Sequence, residues 1–204
     1  MDTLKSVLDL VTPGVYMAKL DIKDAYYSVP IRKEDQKLLK FMSEGELFKF
    51  LVLPNGYTKA PRKFTKLLKP IWAMLRNKRI TLVAYLDDII VLGCDREDCR
   101  HKILTVLRTL QDFGFVIHPK KSDIDPKTSI EFLGFIIDSI AMRVFLPLEK
   151  KIALKSLCET TLEKNLAPRD AKAANTIREV ARLLGKISSW VKQLILVHVP
   201  SATR

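Results

Sequence analysis

"TLVAYLDDIIVLG", Thr81 to Gly93, sets two adjacent carboxylates, Asp87 and Asp88, between two short runs of β-branched and apolar residues. Runs of that composition read as strands, and two of them about a short polar centre read as a hairpin. Unpaired charge is costly to bury. The two acids are therefore either the polar tip of a hairpin or the holders of something positive. Aspartate in a turn commonly just caps local backbone, so the dipeptide alone does not decide between them.

Outward from that hairpin the chain alternates strand and helix signals. "GVYMAKLDI" has strand alternation and ends at Asp21. "LLKFMSEGELFKFLVL" reads as a second hairpin about "SEGE", and "LPNGY" as a turn. From Pro61 to Asn77, Phe64, Leu67, Leu68, Ile71, Trp72 and Leu75 follow the helical period, with Pro70 expected to kink the helix. Another helix runs from about Arg96 to Phe113 and is closed by Gly114. "FVIHPKK" and "IEFLGFIID" each read as a strand, and "MRVFL" as a third. Beyond Pro147, "PLEKKIALKSLCETTLEKN" and "TIREVARLLGKISSWVKQLIL" read as two helices. The expectation is an α+β domain over 1–146 and an all-helical segment over 147–204, without internal repeats.

The 204 residues are 48% hydrophobic, enough for a sizeable core, and Lys+Arg exceed Asp+Glu by 35 to 23, a formal charge of +12. Such an excess predicts an extended acidic partner, most commonly nucleic acid; a merely soluble basic protein is the bland alternative. No apolar run reaches the roughly 18–20 residues that cross a bilayer, and "MDTLKSVLDLVTPG" has no signal-peptide pattern. Cys94, Cys99 and Cys158 lack metal-ligand spacing and read as free thiols in a reducing compartment, cytoplasmic or nuclear.

If the strand ending at Asp21 adjoins the Asp87–Asp88 hairpin, three carboxylates converge at one end of a sheet. Like charges so placed resist joint ionisation unless a cation neutralises them. Hard divalent ions with oxygen ligands suit that role, and Mg²⁺ takes phosphate oxygens and waters as its remaining ligands. Two such ions about 4 Å apart serve in-line phosphoryl displacement.

Five stretches in order carry a resemblance: "LDIKDAYYSVPI" (20–31), "LPNGYTKAPRKF" (53–64), "YLDD" (85–88), "HPKKS" (118–122) and "EFLGFII" (131–137). They resemble the palm motifs of reverse transcriptases from retroviruses and long-terminal-repeat retroelements. The stretch "IREVARLLGKISSW" looks most like the DIRS-like, tyrosine-recombinase retroelements. The resemblance implies a polymerase palm, a ferredoxin-like antiparallel sheet with helices on one face, followed by a thumb- or connection-like helical segment.

It also implies roles by position. Asp21, Asp87 and Asp88 match the metal-ligating aspartates, with the Ile22 carbonyl an added contact, for two Mg²⁺ ions, Mn²⁺ being an alternative. Asp24, Ala25 and Tyr26 match the "D-A-Y" step, where the ring packs under the incoming sugar; an ordinary core aromatic is the other reading of Tyr26. Asn55 and Gly56 match the turn that shapes the nucleotide pocket, where many relatives carry glutamine in place of Asn55. Lys121 matches a lysine that helps protonate departing pyrophosphate, although neighbouring Lys120 leaves the register uncertain by one and a charged strand end would look alike. Tyr85 and Leu86 of the "YLDD" box, and Phe132, Leu133 and Gly134 of a primer-gripping hairpin, fall on primer and template.

Arg62, Lys63 and Lys66 lie in a stretch from Lys59 to Arg79 that contains no acid, and suit template phosphates or a solvated face equally. Arg178, Arg182 and Lys186 repeat at four-residue spacing on the last expected helix. Twenty residues precede Asp21, where relatives have a longer segment building most of the fingers, so the expectation is a fragment of a polyprotein that carries RNase H elsewhere, a truncated gene model or a decayed copy. The expected activity is RNA-directed DNA polymerisation from deoxynucleoside triphosphates on a primed RNA or DNA template. Its rivals are a catalytically inactive nucleic-acid-binding remnant and a template-free palm-fold cyclase.

Overall fold

The first expected strand is β1, Tyr16–Asp21, in a computed structural model that describes residues 3–166 together with 180, 181, 183–185, 187 and 188. Alternation divides it: Ala18 and Leu20, with Ile22 just beyond, enter the core on one face, while Met17, Lys19 and Asp21 leave on the other. The "YLDD" hairpin supplies β4, Thr81–Tyr85, and β5, Asp88–Gly93, and β6 is Asp123–Lys127. These four form one antiparallel sheet in the order β4-β5-β1-β6.

Helices α2, Ala60–Asn77, and α3, Arg96–Asp112, bury their apolar stripes against one face of that sheet. Phe64, Leu68, Ile71, Trp72 and Leu75 of α2 and Ile103, Val106 and Leu110 of α3 share a core with Leu82, Ala84, Ile89 and Val91. The succession β1–α2–β4–β5–α3–β6 in this strand order is the ferredoxin-like arrangement, with helices on one face, as the motifs imply. Asp95 caps α3 by accepting from the Asp98 amide at 2.8 Å, and Gly114 closes it with φ of +83°.

Several elements differ from expectation. "FVIHPKK" is not a strand: Ile117 makes a single bridge to Ile22, then Pro119, which has no N–H to give a ladder, opens a turn. The edge strand forms one step later in "DIDPK", where edge position accommodates Pro126. Helix α2 runs unbroken through Pro70, and Leu67, expected on the buried stripe, is 45% exposed. The expected hairpin is β2, Lys40–Ser43, with β3, Glu46–Lys49, turning through Glu44 and Gly45, both left-handed.

By packing, the chain divides into two compact units, one of residues 1–3 and 14–128 that contains the four-stranded sheet, the other of residues 4–13 and 129–204. The second holds α1, Leu4–Leu8, a three-stranded sheet of β7, Ser129–Phe132, β8, Phe135–Asp138, and β9, Arg143–Phe145, and helix α4, Leu148–Leu166. "IEFLGFIID", one strand by composition, is a hairpin where the resemblance implies one, reversing through Leu133 (φ +48°) and Gly134 (φ +76°). The Lys150 ammonium donates to the Gly134 carbonyl at 2.8 Å. The second C-terminal helix of the sequence reading, with Arg178, Arg182 and Lys186, lies largely outside the described residues.

Candidate active site

Tyr85 pairs with Asp88 across the β4–β5 hairpin, leaving Leu86 and Asp87 as a two-residue loop. Leu86 has φ of +56°, a conformation that costs a side chain roughly 1–2 kcal/mol and that glycine normally fills. Strain of that kind collects where a loop's geometry is over-determined by its surroundings. The loop is fixed here because the Asp87 carbonyl accepts the Ile22 amide at 2.9 Å, tying the hairpin tip to the end of β1.

In the β1–β5 register Asp21 stands directly opposite Asp88, so both side chains leave the same face of the sheet. The Asp21 backbone is clasped by the loop after α3. Its N–H donates to Ser122 Oγ at 3.0 Å, and its carbonyl accepts the His118 amide at 2.8 Å.

The electrostatics record how close the acids lie. Burial, then Asp87 and Asp21, push the Asp88 carboxyl from 3.8 up to about 6, against the opposing charges of Lys19 and Lys121. Burial also raises Asp21; Lys121 opposes most strongly, Asp87 adds to the rise, and His118 and Lys19 lower it. The Tyr26 phenol is raised by burial, then by Asp87 and Tyr85, and its ring meets Phe64 edge-on at 5.8 Å.

A cavity of about 350 Å³ opens at this end of the sheet. Of the sequence-predicted residues it gathers Asp21, Ile22, Asp24, Ala25, Tyr26, Asn55, Asp87 and Lys121. Of the two neighbouring lysines, Lys121 lines the cavity and Lys120 does not. Asp88 lies outside the lining, as do Gly56 in its turn and Tyr85 and Leu86 at the hairpin tip. Arg62, Lys63 and Lys66 are exposed on α2, away from the cavity wall. Phe132, Leu133 and Gly134 belong to the β7–β8 hairpin of the second unit.

Lys23, Tyr27 and His118 also line the cavity. Sequence reasoning gave none of them a role, although His118 and Ser122 sit inside the quoted "HPKKS" and Tyr27 beside Tyr26. The signal for each is its long-range partner, which no local pattern contains.

Among the described residues no group of three or more His, Cys, Asp or Glu side chains closes into a metal cage. The donors nonetheless suit hard cations: they are carboxylate oxygens, two of them facing an open cavity, with mutual repulsion that a divalent ion would relieve. Such an open set leaves ligand positions for water and phosphate oxygens. No helix among the described residues is long and apolar enough to cross a membrane.

Residues 1–137 match the family described as reverse transcriptase (RNA-dependent DNA polymerase). The Tf2-3 transposon polyprotein of Schizosaccharomyces pombe is 25% identical over 149 residues, 73% of this chain and 11% of that protein. This chain therefore spans about a tenth of the length of the curated relatives it matches. A foamy viral protease–reverse transcriptase solved with double-stranded DNA superposes with a TM-score of 0.70 at 20% identity, over 96% of this chain and 32% of the other. The same viral protein solved with an RNA/DNA hybrid gives 0.67 at 23% identity, over 92% and 25%. At such identities the structural likeness establishes the fold.

Proposed function

The chain belongs to the reverse transcriptase (RNA-dependent DNA polymerase) family, and on that premise we propose that it is the palm portion of a retroelement polymerase that extends a primer 3′-hydroxyl with deoxynucleoside monophosphate. The observation that carries this reading is the convergence of Asp21, Asp87 and Asp88 at one sheet end, beside a cavity that also holds Tyr26, Asn55 and Lys121. Asp21, Asp87 and Asp88, with the Ile22 carbonyl, would hold two Mg²⁺ ions, or Mn²⁺. When bound, these ions would lower the proton affinity of the attacking hydroxyl and carry the charge of the departing pyrophosphate.

The protein's own residues do the rest. The clasp of Ser122 and His118 on the Asp21 backbone, and of Asp87 on Ile22, holds the acids in register without help from a ligand. Tyr26 forms the wall against the incoming sugar, with Asp24, Ala25 and the Asn55–Gly56 turn around it. Lys121, the strongest opposing charge at Asp21, supplies a proton to the leaving pyrophosphate. Tyr85 and Leu86, with Phe132, Leu133 and Gly134, contact primer and template, and Arg62, Lys63 and Lys66 contact phosphates. By function we place the palm with partial fingers over 1–146 and the thumb- or connection-like segment over 147–204. We assign the element to the DIRS-like lineage, acting in the cytoplasm or nucleus within a polyprotein that also carries RNase H.

Incorporation of deoxynucleotide on a primed RNA template in Mg²⁺ tests this, with Asp87→Asn as the control. The parent is expected to extend the primer and the variant to lose at least about a hundredfold in rate, as for loss of a principal electrostatic group. Extension that survives in the variant would sink the assignment. Binding that persists in chelator without any extension in Mg²⁺ would identify the inactive remnant.

A further inference from the structure

Leu133 and Gly134 form the two-residue turn of the β7–β8 hairpin, closed by the pairing of Phe132 with Phe135. Both turn residues are left-handed, at φ of +48° and +76°, the geometry whose twist matches the flanking strands. Glycine adopts it freely, but leucine does so at a cost of roughly 1–2 kcal/mol. Local preference alone therefore does not hold this turn, and a conformation of that kind persists where its surroundings impose it.

Those surroundings are the start of α4. The Lys150 ammonium donates to the Gly134 carbonyl at 2.8 Å and stands over the Phe135 ring, 6.0 Å from its centroid. A hydrogen bond from an ionised donor is stronger than a neutral one, and the ring face adds attraction for the cation. The ammonium also fills the space that a Cβ on Gly134 would need. Helix stability does not account for a lysine at this place. Lys150 and Lys151 are the third and fourth residues of α4, where the helix dipole disfavours cations. Lys151 too reaches back to the sheet, with its Nζ 6.0 Å from the centroid of the Phe145 ring on β9. The first turn of α4 thus seats two cations on the three-stranded sheet, and one of them ends at the hairpin's turn.

We propose that Lys150 is a positioning residue for the primer end, pinning the Leu133–Gly134 turn so that the hairpin meets the primer in one conformation. This rests on the polymerase reading, in which the β7–β8 hairpin contacts primer and template. Phe132 and Phe135 are buried while Leu133 and Gly134 are partly exposed, so the part of the hairpin open to a polymer is its turn. A turn that wanders by an ångström displaces whatever it holds by as much, and misplacement on that scale can cost about a hundredfold in rate. Affinity for the polymer is spread over many phosphates and is far less sensitive to one such anchor.

The test compares the parent with Lys150→Met, which keeps an apolar stem and loses the charge, and with Lys150→Arg, which keeps the charge and the N–H donors. Two quantities are read: the single-turnover extension rate of a saturating primed RNA template in Mg²⁺, and the affinity for the same primer-template in chelator by fluorescence anisotropy. Lys150→Met is expected to extend roughly tenfold to a hundredfold more slowly while its affinity changes by less than about threefold. Lys150→Arg is expected to recover most of the rate. Extension by Lys150→Met at the parent's rate, parallel losses of rate and affinity, or Lys150→Arg as slow as Lys150→Met would overturn the role of Lys150 and leave the polymerase reading standing. A parent that extends nothing overturns the polymerase reading and this inference with it.

Discussion

Asp88 has a folded-state pKa of about 6 against 3.8 in the absence of structure, because it is half-buried and lies near Asp87 and Asp21. A carboxyl raised in this way binds its proton more tightly in the folded chain than in the unfolded one. Its contribution is thus most favourable in acid and declines as pH rises from about 4 to about 6. Asp88→Asn removes the contribution, so in chelator the variant should gain on the parent across that window and then hold a constant lead on the order of 1–3 kcal/mol. Urea unfolding at a series of pH values measures it; a difference that does not change with pH contradicts the account. Adding Mg²⁺ should stabilise the parent more than the variant, since in the variant only the repulsion between Asp21 and Asp87 is left for a cation to relieve. Ser122 acts through backbone rather than charge. Ser122→Ala leaves the partly buried Asp21 amide without its acceptor, at a cost of about 1–3 kcal/mol, and should lower the extension rate while primer-template affinity is kept. Equal losses in both would make Ser122 merely structural.

At the scale of elements, β5 hands over to α3 through a close fit at Gly93. A Cβ built on Gly93 would lie 2.3 Å from the Cys99 amide nitrogen and 2.4 Å from its Cα, so one methyl group meets helix backbone rather than a yielding side chain. Gly93→Ala should therefore destabilise by roughly 1–3 kcal/mol or more, the range for overpacking a well-filled site, and lower the thermal midpoint accordingly. An unchanged midpoint would show that α3 shifts freely. This contact was hidden in the sequence, where Gly93 reads as a strand end. The same distinction separates what was legible from what was not. Asp21, Asp87 and Asp88 were legible because strand alternation and hairpin composition are local patterns, and α2 and α3 because their apolar stripes repeat at helical period. "FVIHPKK" misled because its β-rich start hides Pro119, while the true edge strand "DIDPK" is poor in strand formers and exists because β1 offers it an edge. By composition "IEFLGFIID" reads as one strand because only Gly134 of its two left-handed turn residues is a turn former, Leu133 being apolar; the hairpin there is legible from the motif instead. The Asp21–Ser122 pair depends on how two distant segments meet, which no short window contains.

For the whole molecule the governing quantity is the formal charge of +12 and how it is distributed. Charge in such excess favours nucleic acid by releasing condensed counterions, and the strength of that effect is read from the slope of log affinity against log salt, about −0.9 per phosphate neutralised on duplex. The stretch from Lys59 to Arg79 concentrates base without acid, and Arg62, Lys63 and Lys66 stand exposed on it. Two descriptions of that face make different predictions. If it meets phosphates, replacing Arg62, Lys63 and Lys66 together by glutamine should make the slope shallower by about 2–3 and weaken binding alike for any sequence. If it is only a solvated surface, the slope should hold, because the charges lost never displaced counterions from the nucleic acid. Fluorescence anisotropy of a labelled RNA/DNA hybrid, titrated from low to moderate salt in chelator, separates the two without requiring catalysis. The expected outcome is the shallower slope with the thermal midpoint unchanged, since exposed lysines on a helix add little to stability. The distribution of charge would then join the carboxylate end of the sheet to the basic helix in one function: the acids order the chemistry, and the helix holds the polymer on which it acts.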